Sequence, residues 1–286
     1  MAGRLFIFGL GYSGLEIARL ARAAGWQIAG TCTSEEKASL LREGGIVAHR
    51  FEGAAPLPAE TLADATHIAS TIAPDSDGDP VLRTCRHLFG RARWLGYLST
   101  TGVYGDHGGG WVEETTPARP AQPRSIARLA AERSWQALAL EAGVNLDIFR
   151  LPGIYGPGRS AIDQVAAGAA RRIDKPGQVF SRIHVDDIAG TVLMAITQPH
   201  AGSIYNVADD LPASTADVVA YACELLGKPV PALIPWTEAQ AGMSPMAQSF
   251  YAENRRVRNA RIKDELGVVL RYPTYREGLR AIASAL

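Results

Sequence analysis

Lysine is scarce in this chain of 286 residues. Lys37, Lys175, Lys228 and Lys263 are the only four, and arginine supplies the rest of the 29 basic side chains. That shortage limits which lysine can serve in any mechanism. Cysteine is scarcer still. Cys32, Cys85 and Cys223 lie far apart and form neither a CxxC pair nor a metal-ligand spacing. An odd, sparse set of this kind predicts reduced thiols and a cytoplasmic protein. The six histidines contain no HxxxH pair, so the sequence gives a metal site no support without excluding one. Neither sign of charge is in excess, because 29 basic and 29 acidic residues cancel. Nothing global then attracts nucleic acid or an anionic membrane, and any phosphate recognition must be local. No apolar run approaches the length of a membrane span. The opening "MAGRLFIFGLGYSG" carries a short apolar run broken by glycine, with no AxA-like cleavage site. It reads as a buried strand rather than a secretory leader.

What is present is an alternation of short apolar runs and helical spacing. Strands are expected at Leu5–Phe8, Trp26–Thr31, Val47–Phe51, His67–Ile72, Trp94–Ser99 and Asn145–Arg150. Helices are expected at Ser13–Ala24, Glu35–Glu43, about Pro80–Arg91 and about Arg124–Ala142, the last with Ala131, Trp135, Leu138 and Ala142 on one face. Strands separated by helices imply a parallel sheet with right-handed crossovers. The expected fold is α/β, a Rossmann-type doubly wound parallel sheet over residues 1–150. Residues 151–286 form mostly a smaller lobe, with about 183–207 returning to the core. In that second part "LPGIYGPGRS" reads as a loop and Ala161–Ile173 as a helix. Asp186–Gln198 reads as a helix capped by Asp186 or Asp187, Ile204–Val207 as a strand, and Ala216–Leu226 as a helix closed by Gly227. The segment 236–255 reads as lobe surface or a flap.

The strand Leu5–Phe8 runs directly into "GLGYSG" and then a helix. In that context GxGxxG has a mechanical meaning. Gly9 permits the tight turn, Gly11 lets backbone approach a pyrophosphate, and Gly14 lets helix pack on strand. The first helical residues, Tyr12 and Ser13, bring free N–H groups and the positive dipole end to the phosphates. The expected ligand is therefore a dinucleotide. The second strand ends "GTCTSEEK", without a carboxylate at the usual ribose position. Thr33, Ser34 and Lys37 favour the 2′-phosphate of NADP. Glu35 and Glu36 lie close enough to keep NAD open, and Ser34 alternatively caps the next helix.

Further on, "YLSTTGVYGDHGG", "RLPGIYGPGR", "IHVDDIAG", "YNVADD" and "RNARIKDELGVVLRYPTYREGL" follow in order. In these motifs the chain resembles the extended short-chain dehydrogenase/reductase family, the NAD-dependent epimerase/dehydratase group. The resemblance implies hydride transfer on a nicotinamide, with a Ser/Thr, a Tyr and a Lys around it, and sugar-nucleotide substrates. Thr100, four residues before Tyr104, matches the Ser/Thr. "PRSIARLAAE" aligns with the family's PYxxxKxxxE, so Tyr becomes Arg124 and Lys becomes Arg128. No tyrosine occurs between Tyr104 and Tyr155, so no shift of alignment restores the motif. Arginine stays protonated and cannot cycle a proton. Arg128 can still donate to ribose hydroxyls. Arg124 cannot be the acid; the pair is either solvated or binds an anion on cofactor or ligand.

Other groups enter as candidates for the missing proton donor: His184 near the pocket, and Asp106 and His107 on the glycine-rich loop. Tyr104 and Tyr155 read as structural, and Asp79 stands loosely where the family often has Asn. Two functions remain open: an enzyme of the epimerase/dehydratase or reductase kind with a non-standard proton donor, and a catalytically inactive dinucleotide sensor. The expected partner is a small, anionic substrate. Family members often pair through the helix equivalent to 124–142, which makes a homodimer an option, with Trp135 and Leu138 serving either that interface or the core.

Overall fold

The computed structural model describes residues 3–198 and 200–286. The first half runs β1 (Arg4–Phe8), α1 (Tyr12–Ala23), β2 (Gln27–Cys32), α2 (Glu35–Glu43), β3 (Val47–Arg50), β4 (His67–Ser70), α3 (Pro80–Cys85), β5 (Trp94–Thr100), β6 (Trp111–Val112), α4 (Pro123–Ala142) and β7 (Asn145–Leu151). The second half begins β8 (Gly153–Tyr155), α5 (Ala161–Ala166), β9 (Arg172–Asp174), β10 (Arg182–His184), α6 (Val185–Thr197) and β11 (Ile204–Asn206). It ends α7 (Thr215–Leu225), β12 (Leu233–Pro235), α8 (Trp236–Ala239), α9 (Pro245–Tyr251), β13 (Arg256–Val257), α10 (Ala260–Leu266) and α11 (Tyr275–Ala283).

Seven strands form one parallel sheet in the order β11-β7-β5-β4-β1-β2-β3. Side chains alternate across each strand, so a sheet covered on both faces needs apolar residues on both. In β1, Leu5 and Ile7 enter the core shared with α1 and α6, while Phe6 and Phe8 enter the opposite core with α3 and α4. Trp135 and Leu138 lie in that second core rather than at a free surface. The lobe has its own core of Ile162, Val165, Val219, Ala222, Leu279 and Ile282.

Several local expectations change. The helix expected over Ala161–Ile173 stops at Ala166, because Gly168 turns the chain at φ +68 and the residues after it pair as β9. The "LPGIYGPGRS" segment is not wholly loop, since Gly153–Tyr155 pairs with β10. The helix from Pro80 ends at Cys85 and gives way to a 3₁₀ turn over Arg86–Leu88. His184, not an aspartate, caps α6, its Nδ1 accepting from the Asp186 amide at 3.1 Å. Asp187 instead accepts from the amides of Arg271 (2.6 Å) and Tyr272 (3.1 Å), anchoring the C-terminal segment.

At the end of the sheet away from the glycine loop, buried Asp147 accepts from Trp94 Nε1 (2.6 Å), the Ser203 amide (3.0 Å) and His200 Nε2 (2.9 Å). His200 Nδ1 lies 2.9 Å from the Gln198 carbonyl. Both ring nitrogens thus face acceptors, which holds the ring as imidazolium. Burial pulls its pKa down, but the Gln198 carbonyl and the Asp147 carboxylate outweigh that, and the net direction is up. A folded pKa above the unfolded one gives stability that is full below the unfolded value and fades as pH rises through the folded value. Stability in urea unfolding is therefore expected to fall from acid to alkaline pH. His200→Gln should remove this group's share of the slope; an unchanged slope would show that other groups carry it.

Candidate functional site

The glycine loop is braced from both neighbouring strands. The Gly9 amide donates to Thr31 Oγ1 (2.9 Å), and Thr71 Oγ1 donates to the Gly9 carbonyl (2.7 Å). Gly9 sits at φ +91, a conformation that favours glycine. A Cβ on Gly14 would lie 2.1 Å from the Gly9 carbonyl oxygen, so helix and strand meet there too closely for any side chain. A Cβ on Gly11 would meet nothing within 4 Å. Gly11 caps α1 without a side-chain hydrogen bond, and no acidic residue occupies the first turn. The Tyr12 and Ser13 end of α1 therefore offers open N–H groups and a positive dipole end beside open space. Thr31 and Thr71 escaped the sequence reading. Each directly ends or follows an apolar strand, which was the only signal available.

At the end of β2, Ser34 caps α2, its Oγ accepting from the Lys37 amide at 3.3 Å. The capping alternative thus holds, and the hydroxyl proton remains free to donate. Thr33 and Ser34 are exposed and Lys37 half-buried. Glu35 is paired with Arg42 at 2.8 Å.

At the carboxyl end of β5, Thr100 Oγ1 accepts from the Gly102 amide at 3.1 Å. A Cβ on Gly102 would approach Ser125 Oγ to 2.5 Å and Thr100 Oγ1 to 3.3 Å, so this turn seats tightly on the first turn of α4. That seating brings Thr100 to the helix that carries Arg124 and Arg128. The two arginines then diverge. Arg128 turns inward, its Nη1 donating to Leu98 O (2.9 Å), Tyr97 Oη (3.1 Å) and Ile72 O (3.4 Å) at the ends of β4 and β5. Arg124 turns outward and lies 4.1 Å over the Phe250 ring, with Nη1 3.7 Å from Met246 Sδ on α9. The two guanidiniums do not converge on one point. Neither makes an ion pair among the described residues.

Each of the remaining proton-donor candidates has at least one contact that fixes it. His184 is 2 % exposed, and its Nε2 has no polar partner in the protein. Burial, reinforced by Arg271, pulls its pKa down to about 4, so the ring is neutral at ordinary pH. His107 lies with Nε2 3.2 Å from the Tyr104 carbonyl, and Asp106 Oδ1 accepts from the amides of Gly108 and Asn254. Asp106, with the His107 amide donating to the Asn254 carbonyl at 3.0 Å, pins the loop to the 254 segment. Tyr104 Oη donates to Asn206 Oδ1 at 2.8 Å, and Tyr155 packs against Gly278 with its hydroxyl directed at the Thr274 carbonyl. Tyr97 is fully buried, and burial pushes its pKa upward. Asp79 caps α3 and accepts from Trp135 Nε1 at 3.0 Å, tying α3 to α4.

Residues 78–208 match the NAD dependent epimerase/dehydratase family. A functionally unknown conserved protein from Silicibacter pomeroyi DSS is 45% identical, with a TM-score of 0.89 over 99% of both chains. Residues 78–208, which run from α3 to β11, carry the NAD dependent epimerase/dehydratase domain of this chain. Protein YeeZ of Escherichia coli K12 is 29% identical, covering 94% of this chain and 96% of its own. The dTDP-glucose 4,6-dehydratase of Bacillus anthracis, solved in complex with NAD, shares the fold at a TM-score of 0.78 and 18% identity, covering 99% of this chain and 96% of that one. The glycine loop lies outside residues 78–208, and its open face at Gly11 is where the sequence places a dinucleotide pyrophosphate. No helix among the described residues is long and apolar enough to cross a membrane, and no group of three metal-ligating side chains occurs among them.

Proposed function

We propose that the chain binds NAD(P), with NADP preferred, and transfers hydride to or from a small anionic substrate, with solvent water supplying or taking the proton that a tyrosine would exchange. The observation that carries this reading is Gly11. Its Cβ position is empty of protein atoms while the glycines on either side are sterically required by the fold. A bound nicotinamide supplies the hydride. The chain supplies the rest. The amides at the start of α1 hold the pyrophosphate. Thr33, Ser34 and Lys37 receive the 2′-phosphate, an assignment supported by the engagement of Glu35 with Arg42. Arg128 is held through Nη1, which leaves Nε and Nη2 to donate to ribose hydroxyls. Thr100 orients a substrate oxygen, and Arg124 attracts an anionic group at the mouth of the cleft.

Fluorescence titration with NADPH and NADH tests the cofactor clause. NADPH is expected to bind roughly tenfold more tightly, and Arg128→Ala to weaken it by roughly tenfold, about 1.4 kcal/mol. Equal or tighter binding of NADH overturns the NADP preference.

One observation favours a second reading, a dinucleotide sensor. Arg124 stands where the family has its acid, yet it ties α4 to α9 through Phe250 and Met246. The readings part on turnover. Wild-type protein oxidising NADPH in the presence of carbonyl-bearing carboxylic acids supports the enzyme. Reduction seen only after Arg124→Tyr with Arg128→Lys supports the sensor.

A further inference from the structure

The lobe carries a half-open cavity of about 740 Å³ between α5, β9, α7 and α11. That is the size of a small-molecule pocket. Tyr155, Tyr251 and Tyr275 form part of its wall, with Val219 among the aliphatic residues. Its charge is one-sided. Arg159, Arg171 and Arg182 line it, against a single acid, Asp163. Asp163 is already engaged, its Oδ2 accepting from the amide (2.8 Å) and hydroxyl (2.6 Å) of Ser160 in the cap of α5. None of the three arginines makes an ion pair among the described residues.

Arg182 is fixed from behind. Its Nη1 donates to the carbonyls of Phe180 (2.8 Å) and Ala213 (2.9 Å), which orient the guanidinium without neutralising it. The buried carboxyl of Asp209 feels the Arg182 charge, but burial pushes its pKa up to about 8. A desolvated, oriented and unpaired guanidinium is costly unless something anionic meets it. Arg159, on the same cavity, also lies 5.7 Å over the ring of Tyr12 in the glycine loop, which joins this cavity to the cofactor loop.

We propose that this cavity binds an organic oxyanion, a carboxylate or phosphate carried on a flat aromatic body, with Arg171 and Arg182 on the anion and the tyrosines on the ring. As the substrate's site it rests on the hydride-transfer reading, and names the class of substrate that reading requires. As a binding site it stands without it.

Calorimetric titration of the full chain with phenyl phosphate, benzoate, phenol and inorganic phosphate tests the proposal, with NADPH affinity measured on the same samples. Phenyl phosphate or benzoate should bind at least roughly tenfold more tightly than phenol and inorganic phosphate, since both the charge and the ring are recognised. Which of the two wins separates a phosphate from a carboxylate ligand. Arg171→Gln, at an exposed position, should weaken the winner by roughly fivefold or more, and Val219→Trp should abolish it by filling the cavity. NADPH affinity should hold in both variants. Failure of both aromatic anions to bind, or binding that survives Arg171→Gln, overturns the proposal. Failure of the wild-type chain to bind NADPH instead overturns the proposed function and leaves the cavity result standing.

Discussion

Gly11→Leu is expected to abolish dinucleotide binding and leave the fold intact. The two halves of that result have separate causes. Gly11 has φ −86 and ψ −156, extended backbone that any residue adopts, and a Cβ there meets no protein atom within 4 Å. The folded chain therefore does not need glycine at this position. Its neighbours differ. Gly9 sits at φ +91, and a Cβ on Gly14 would lie 2.1 Å from the Gly9 carbonyl, so substitutions there damage the loop itself. A leucine at 11 projects into the space that a pyrophosphate would take against the start of α1. NADPH affinity should fall by about 100-fold or more, about 2.7 kcal/mol, as fluorescence titration reads it. The thermal midpoint should stay within about 2 °C of wild type, as for an unstrained surface change. Wild-type affinity in Gly11→Leu would mean that no phosphate approaches this turn.

The contrast among these glycines also shows how much of the molecule was legible in the sequence. The loop could be read because its requirements are local: a strand, a turn and a helix within eleven residues. The sheet could be read for the same reason, since the alternation of Leu5 and Ile7 with Phe6 and Phe8 already demands two covered faces. Tertiary demands were not legible. His184 caps α6 with its ring packed among Tyr155 and Tyr272, while Asp187, one of the two expected caps, is drawn to the amides of residues 271 and 272. The end of α5 at Ala166 depends on β9 finding β12, about sixty residues away. Arg124 and Arg128 show the limit most clearly. Four apart on a helix, they share a face and should repel. In the fold one reaches under β5 and the other across to α9, and each finds soft or carbonyl partners that the sequence does not place beside it.

Four residues beyond Arg128, Glu132 marks the second large effect. It is 1 % exposed, accepts from Ser99 Oγ (2.5 Å), and receives Arg150 through Nε (3.2 Å) and Nη2 (2.7 Å). Arg150 is buried too and lies 4.8 Å over the Tyr104 ring, whose hydroxyl reaches Asn206. One carboxylate thus connects α4, β5 and β7, and through Tyr104 reaches β11. Glu132→Ala leaves Arg150 buried without a counter-charge, and the expected loss is about 3–5 kcal/mol in urea unfolding. The loss belongs to the orphaned charge more than to the pair itself, because desolvating both ions offsets much of their attraction. Glu132→Leu combined with Arg150→Met should therefore recover a large part of the stability that either single change removes. A double-mutant cycle measures this directly, and strict additivity of the two losses would show that the ions do not act as a unit. Glu132→Gln falls between the extremes. It keeps an acceptor for Ser99 but not the charge that Arg150 faces, so about half the loss should remain. The recovery in the double variant separates a packed position that merely tolerates an ion pair from one whose charge the fold requires.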